Sequence, residues 1–272
     1  MDVIKRELRN KIGSNSRMPL KNDSLLCELF HENSKFTATS AKRAGKAMQA
    51  LNHKPEVLSM MSQSYKVYSL APKIALSLPT PNNNLEKTIV KRRSLREYSG
   101  EYITLEQLTR LLYFAYGRTS GEQFRAVASG GALYPLEIYS IVFRVAGLEQ
   151  GIYHYGADNH VLHKIKTGSF SNECRQCIFM DETGVQVDTA NAIIILTALF
   201  ERSTTKYGDR GYRMTLMEAG EVAQAISLKA VDENLGCCLL GGFLDDKVNQ
   251  LIGIDGTVES TLLPIVIGTP NK

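Results

Sequence analysis

The chain has 272 residues, of which 43% are hydrophobic and 22% are charged. These values are typical of a soluble globular protein and exclude a disordered or fibrous chain. The formal net charge of +4 comes from the start of the chain, because residues 1–60 carry eleven Lys and Arg against six Asp and Glu. Without an aromatic or basic stripe, this excess indicates a solvated face and excludes a nucleic-acid-binding protein.

Targeting signals and cysteine usage indicate the compartment. The sequence has no run of about 18 to 20 apolar residues to span a bilayer, and its N-terminus lacks the apolar stretch of a signal peptide. We therefore expect a cytoplasmic protein that does not enter a membrane. Five cysteines, an odd number, favour reduced thiols. Cys174 and Cys177 form one CxxC without a second ligand pair at zinc-site spacing, so we predict no metal and leave its role open.

Residues 1–84 are predicted to form a helical N-terminal extension and a linker. Three short helical patterns, SLLCELFHENSKF, SAKRAGKAMQALNH and EVLSMMSQSY, alternate with prolines, which stop helices. The segment LPTPNNNLEKT then has the composition of a linker. We place the main domain at residues 85–272.

The main domain alternates helical and strand patterns. LEKTIVKRR and LEQLTRLLYFAYG have helical spacing, and Thr104 with Gln107 predicts a capped start for the second helix. Residues 138–145, 192–200 and 262–268 are rich in β-branched and aliphatic residues and predict buried strands. CCLLGGF is a fourth strand candidate.

A long helix is predicted over residues 213–235, where apolar residues occupy most sides, so we expect neighbouring elements to cover it nearly all round. Gly220 within it costs roughly 1 kcal/mol relative to alanine, which predicts close approach of another group to the backbone. The preceding octapeptide KYGDRGYR is either a solvated basic loop or a site at which Lys206 and Tyr207 exchange protons.

Three further segments could hold a phosphorylated ligand. If KRRSLREYSG is extended, Arg92, Ser94 and Arg96 share one face and could bind a terminal phosphate, although a solvated basic turn has the same pattern. SGGALYP at residues 129–135 has paired glycines that could lie against a flat ligand, or is a plain turn before a strand. GGFLDD at residues 241–246 repeats the glycine pair after a strand. SGGALYP matches neither GxGxxG nor a Walker loop.

These segments together carry a family resemblance. RRSLREY, SGGALYPLEIY, GIYHY, KYGDRGYRMTLMEAG, LGCCLLGGFLDD and VIGTP follow the order and spacing of the FMN-dependent nitroreductase superfamily. They resemble most its azoline dehydrogenase branch, which makes thiazole and oxazole rings in modified microcin peptides, and FHENSK at residues 30–35 is also similar to that branch. The resemblance implies an α+β fold with a central mixed sheet flanked by helices, and a homodimer with FMN at the subunit interface.

Matching positions imply roles for individual residues. Arg92, Ser94 and Arg96 would hold the FMN phosphate, and Lys206 and Tyr207 match the pair assigned to catalysis. The flavin ring system would lie against residues of the two glycine segments, namely Ser129, Gly131, Ala132, Leu133, Gly241 and Gly242.

The resemblance also implies a reaction, the oxidation of peptide thiazoline or oxazoline rings to azoles. The substrate would be a heterocyclised precursor peptide, and cyclodehydratase subunits of a synthetase complex would be partners. Three alternatives stay open, because fold does not fix function. They are a general NAD(P)H-dependent nitro- or quinone reductase, a thiazoline oxidase of a nonribosomal assembly line, and a non-catalytic subunit that docks the peptide.

Overall fold

The computed structural model of the chain describes residues 26–62, 65–120, 124–179 and 184–271. Four helices come first: α1 (Leu26–Ser34), α2 (Ala38–Asn52), α3 (Pro55–Ser62) and α4 (Asn84–Lys91). The three helices predicted in the extension are confirmed, except that residues 24, 25, 63 and 64 lie outside the described residues. Residues 65–83 contain neither helix nor strand, and they include the first six residues of the predicted linker LPTPNNNLEKT, whose last five residues lie in α4. The domain boundary near residue 84 stays a prediction.

The main domain contains the remaining helices and strands. In chain order they are β1 (Ile103–Thr104), α5 (Leu105–Tyr116), β2 (Arg118–Ser120), β3 (Phe124–Arg125), β4 (Leu136–Val142), β5 (Val145–Ala146), β6 (Gly151–Gly156), β7 (Val161–Thr167), α6 (Ser171–Cys177), β8 (Ala192–Ala198), α7 (Glu201–Tyr207), α8 (Asp209–Asp232), β9 (Gly236–Leu239), α9 (Asp245–Ile252) and β10 (Ser260–Gly268). The predicted capping box of α5 is confirmed, because Thr104 Oγ1 accepts the Gln107 N–H at 3.1 Å. The four predicted strands are present as β4, β8, β9 and β10.

Six strands form one sheet in the order β7-β6-β4-β8-β10-β9, and every neighbouring pair is antiparallel. Parallel pairing occurs beside this sheet, in the short pair β1-β5 and in a bridge between Ser94 and Cys237 at the outer edge of β9. This architecture confirms the predicted α+β fold with a central sheet flanked by helices.

Hydrophobic cores cover both faces of the sheet. On one face α5 and α8 contribute buried residues such as Leu108 and Ile226. On the other face α6 and α9 bury Cys174, Cys177 and Val248. Burial raises the pKa of the Cys177 thiol to about 12. Both cysteines of the CxxC are therefore protonated core side chains at neutral pH.

The long helix α8 differs from the prediction in two ways. It begins at Asp209 instead of residue 213, and it exposes one face that includes Arg213, Met217 and Gly220. The expected cover on nearly all sides is therefore wrong for the single chain, whose exposed face carries both polar and large apolar side chains. The close approach predicted at Gly220 is not made within the single chain, since no described atom lies within 4 Å of an added Cβ there.

Helix α1 attaches the N-terminal extension to the main domain. His31 is buried, with Nε2 2.9 Å from Ser260 Oγ and Nδ1 3.3 Å from Tyr212 Oη. Lys35 is also buried and donates to the Gly256 carbonyl at 2.7 Å. The FHENSK segment is thus a docking element of the extension. No helix among the described residues is both long enough and apolar enough to cross a membrane.

Candidate active site

Three of the predicted site segments meet at one end of the sheet. Leu136 at the start of β4 and Ser260 at the start of β10 both pair with Ala198 at the end of β8. Because β9 runs antiparallel to β10, the chain also leaves β9 toward this end. The SGGALYP turn before β4, helix α7 after β8 and the glycine pair after β9 therefore lie along the same edge.

Lys206 and Tyr207 are the last residues of α7 and lie on the glycine turn. An added Cβ at Gly131 would be 2.5 Å from Tyr207 Oη and 3.0 Å from Lys206 Nζ. The structure therefore brings the predicted catalytic pair onto a predicted cofactor-binding residue. Lys206 Nζ is also 5.2 Å from the centroid of the Tyr207 ring.

The octapeptide KYGDRGYR lies in two helices joined at Gly208, so the alternative of a loop is wrong. Gly208 has a φ of +56° and forms the corner between α7 and α8. Gly211 permits close packing of the two helices, because an added Cβ would lie 2.6 Å from the Ser203 carbonyl oxygen. The two glycines thus build a tight helix–helix corner that holds Lys206 and Tyr207 in place.

The glycine turn itself has an unusual backbone. Gly131, Ala132 and Tyr134 all have positive φ, at 69°, 55° and 47°. This left-handed region costs non-glycine residues roughly 1–2 kcal/mol each, so the turn needs support from its surroundings. Met214 of α8 provides part of it, because its Cε fills the space that a Cβ at Gly130 would occupy.

A buried carboxylate on α8 provides further support for the turn. Ser129 Oγ donates to Glu218 Oε2 at 2.6 Å and accepts the Tyr134 N–H at 2.9 Å. Tyr116 Oη donates to Glu218 Oε1 at 2.9 Å. Burial raises the pKa of Glu218, and the hydrogen bonds from Ser129 and Tyr116 oppose that rise. Ser129, predicted to line the flavin, is therefore already engaged in fixing the turn.

Arg125 contacts the two tyrosines of this network, Tyr116 and Tyr134. Its guanidinium carbon lies 4.4 Å from the centroid of the Tyr116 ring and 4.8 Å from that of Tyr134. Its backbone N–H donates to Tyr134 Oη at 3.1 Å. Glu218 was not among the predicted site residues. Its one sequence signal is that it is a single carboxylate on the apolar side of a long helix.

Arg92, Ser94 and Arg96 lie beside the edge strand β9, where Ser94 pairs with Cys237. Burial raises the pKa of Cys237 to about 11, and the positive charge of Arg92 opposes that rise. Burial likewise raises the pKa of Cys238, and Arg96 opposes it. Among the described residues neither guanidinium forms an ion pair with a carboxylate. Both charges can therefore meet an anion, while their convergence on one phosphate stays a prediction.

The second glycine pair and the rest of the turn differ in exposure. Gly242 is covered, because an added Cβ would lie 2.9 Å from Phe179 Cδ2. Gly241 is exposed, and no described atom lies within 4 Å of an added Cβ. Ala132 is exposed and Leu133 is half-buried. Open surface at this end of the sheet is thus found at Gly241 and Ala132, whereas Gly242 serves local packing.

Sequence comparison places these features among known proteins. The Nitroreductase family model matches residues 89–269. A Methanocaldococcus jannaschii protein named as a nitroreductase is 38% identical over 170 residues, which are 62% of this chain and 84% of that protein.

Two relatives are named as peptide-processing proteins. The trifolitoxin-processing protein TfxB of Rhizobium leguminosarum bv. trifolii is 29% identical over 175 residues, covering 61% of this chain and 47% of TfxB. The microcin B17-processing protein McbC of Escherichia coli is 26% identical over 170 residues, covering 61% of each chain. The match therefore spans less than two thirds of either processing protein.

Solved structures share the fold. The crystal structure of an Anabaena variabilis protein named as a nitroreductase superposes with a TM-score of 0.60 at 34% identity, over 69% of this chain and 38% of that one. A chain of the E. coli microcin synthetase McbBCD complex with truncated pro-MccB17 bound gives a TM-score of 0.60 at 19% identity. That superposition covers 88% of this chain and 100% of the other, and at this identity it is a likeness of fold.

Proposed function

The chain belongs to the Nitroreductase family, and we propose that it is an FMN-dependent azoline dehydrogenase, which oxidises thiazoline or oxazoline rings of a peptide to azoles. Family membership supports a flavin-dependent oxidoreductase. The relatives that process microcin and trifolitoxin support a role in modified-peptide biosynthesis. The observation that carries the reaction is the contact of Lys206 and Tyr207 with Gly131, which joins two proton-exchanging side chains to a flat backbone surface.

The residues present suit an elongated flavin phosphate. Arg92 and Arg96 could hold the phosphate at β9 by charge-assisted hydrogen bonds, with Ser94 between them. In the sheet order β4-β8-β10-β9, the glycine turn is three strands away across the sheet, about 14 Å at a strand spacing of about 4.8 Å, and Ser94 pairs with β9 at the opposite end of the sheet from that turn. The ring system could then lie at Gly241 of the same chain and at Gly131 of the second copy in a homodimer. A flavin held by these residues would supply the hydride acceptor for the oxidation.

The side chains of this chain would handle the proton. Aromatisation of an azoline removes a hydride and a proton, so the site needs a base on the substrate side. Lys206 Nζ would take the ring proton, and Tyr207 Oη would orient that amine or relay the proton. Because both atoms contact Gly131, a ring held over the turn would meet both.

Two copies of the chain would complete the enzyme. The exposed face of α8 carries large apolar side chains, among them Met217, which is 57% exposed. A homodimer would bury this face, which adjoins Met214 beneath the glycine turn. The relation to McbC further favours a heterocyclised precursor peptide as substrate and cyclodehydratase subunits as partners.

Lys206→Ala and Tyr207→Phe test the reaction. Loss of a general base typically costs about 10² to 10⁴ in rate, so azole formation from an azoline peptide should fall by about that factor. Bound FMN should be retained, because neither side chain belongs to the arginine pair. Lys164→Ala, which removes an exposed lysine of β7, is the matched control and should keep the parent rate. Parent rates in both site variants would contradict the proposal.

A general NAD(P)H-dependent nitro- or quinone reductase is the second candidate. The identity of 38% to a protein named as a nitroreductase favours it. Rapid bleaching of the bound flavin by added NAD(P)H, without azole formation from an azoline peptide, would decide for this reductase.

A further inference from the structure

Lys206 and Tyr207 lie on α7, a helix too short to be stable without contacts to the rest of the protein. Helix α7 has seven residues, and its first turn has no side-chain cap. Isolated helices shorter than about 12 to 15 residues are marginal in water, so contacts outside α7 must fix its orientation. The position of Lys206 and Tyr207 therefore depends on how α7 is attached.

Three contacts attach α7 to the SGGALYP segment. At its start, the Leu199 N–H donates to the Pro135 carbonyl at 2.8 Å. One turn later, Arg202 Nη1 donates to the Tyr134 carbonyl at 3.1 Å. At its end, Lys206 reaches Gly131. Arg202 and Lys206 are four residues apart and lie on the same side of the helix. A shift of Arg202 would therefore move the Lys206 amine across the turn.

Arg202 is held in turn by a carboxylate at the start of β4. Its Nη1 lies 2.6 Å from Glu137 Oε1, and the side chains of Arg202 and Glu137 are only 27% and 19% exposed. The second oxygen of Glu137, Oε2, lies 2.9 Å from His154 Nε2. Glu137 is thus fixed from two sides, by α7 and by β6.

The charge state of Glu137 favours this attachment. Burial acts to raise its pKa, but the hydrogen bond from His154 and the charge of Arg202 lower it below the usual value. A second carboxyl in the cluster, Glu259, has its pKa raised by burial, and the negative charge of Glu137 adds to that rise. Glu137 is therefore the ionised partner of Arg202 at neutral pH.

We propose that Arg202 is a positioning residue for the reaction. Its ion pair with Glu137 and its bond to the Tyr134 carbonyl hold α7 so that Lys206 and Tyr207 lie on Gly131. The link to a reaction rate rests on the function proposed above, whereas the attachment of α7 does not. Arg202 itself touches neither reacting group.

Arg202→Met, Arg202→Lys and Glu137→Gln test this role. A misplacement of about 1 Å can cost about 10²-fold in rate, so Arg202→Met should lower kcat for azole formation by about that factor, with KM and FMN content kept. Arg202→Lys and Glu137→Gln each keep part of the attachment and should lose less. Arg110→Met is the matched control, because it breaks an ion pair of equal length, 2.6 Å, on α5.

A double-variant cycle separates positioning from general weakening. If Arg202 acts through the pair, then adding Arg202→Met to the double variant Lys206→Ala/Tyr207→Phe should cause no further loss of rate. Multiplied losses, or a parent kcat in Arg202→Met, would overturn the proposal. If Arg202→Met does not fold, the same cycle with Glu137→Gln decides in the same way.

Hydrogen exchange provides a readout that does not need turnover. Amides of residues 201–207 should exchange faster in Arg202→Met than in the parent, while Arg110→Met leaves them unchanged. Unchanged exchange there would overturn the attachment. If the parent oxidises no azoline peptide but exchange responds as expected, the proposed function fails and the attachment of α7 stands.

Discussion

Gly131→Ala directly tests the contact between the glycine turn and the catalytic pair. The added methyl would lie 2.5 Å from Tyr207 Oη and 3.0 Å from Lys206 Nζ, at a residue with a φ of +69°. Alanine in this left-handed region costs roughly 1–2 kcal/mol. For a chain of this size, each kcal/mol lowers Tm by about 2–4 °C, so a decrease of about 2–8 °C is expected.

The steric part of the effect falls on function more than on stability. The two atoms that the methyl would meet are the ends of flexible side chains, which can move away without unfolding the protein. Lys206 and Tyr207 would then leave their places on the turn. We expect azole formation from an azoline peptide to fall by about 10²-fold, the usual cost of a misplacement of about 1 Å.

Gly147→Ala is the matched control for this substitution. Gly147 has a φ of +81°, and no described atom lies within 4 Å of an added Cβ, so it carries the backbone cost without the contact. Both variants should lose similar amounts of Tm in thermal unfolding, and only Gly131→Ala should lose turnover. An unchanged rate in Gly131→Ala, or an equal loss in Gly147→Ala, would refute the role of the contact.

Three further predictions concern the cofactor, the subunits and pH. Arg92→Ala combined with Arg96→Ala should yield protein without FMN absorbance, while Arg93→Ala, whose guanidinium donates to nearby backbone carbonyls, should stay yellow. Sedimentation should give about twice the chain mass of 30.2 kDa, and Met217→Asp should shift it to the monomer. Because burial raises the pKa of Glu218 above 4.5, the contribution of Glu218 to the free energy of unfolding should fall as pH rises above 4.5. Glu218→Gln should flatten that fall in denaturant titrations at pH 5 and pH 8.

Most helices and strands could be predicted because each is specified by residues that are close together in the sequence. The capping box at Thr104 and the apolar spacing after it define α5, and the β-branched run at residues 192–198 defines β8. Strands β6 and β7 were not predicted. β7 contains His163, Lys164 and Lys166 and is largely exposed at the edge of the sheet, so it lacks the pattern of a buried strand.

The site could be predicted only in part, because its contacts join residues that are far apart in the sequence. Lys206 and Gly131 are far apart in sequence, and only the antiparallel register of β4 with β8 brings them together. Gly208 and Gly211 have the composition of a loop, yet they permit a tight corner between two helices. Arg202 and Glu137 offered no spacing that links them, because their pairing depends on the same register.

The energetics of the glycine turn indicate that the protein fixes this surface by itself. Left-handed backbone at Ala132 and Tyr134 costs roughly 1–2 kcal/mol for each residue. The two hydrogen bonds that join Ser129 and Tyr116 to the Glu218 carboxyl group, at roughly 0.5–1.5 kcal/mol each, are of similar size. A turn supported in this way presents one preformed surface to a flat ligand. Flavin affinity would then come from complementarity to that surface, without the entropic cost of ordering a loop.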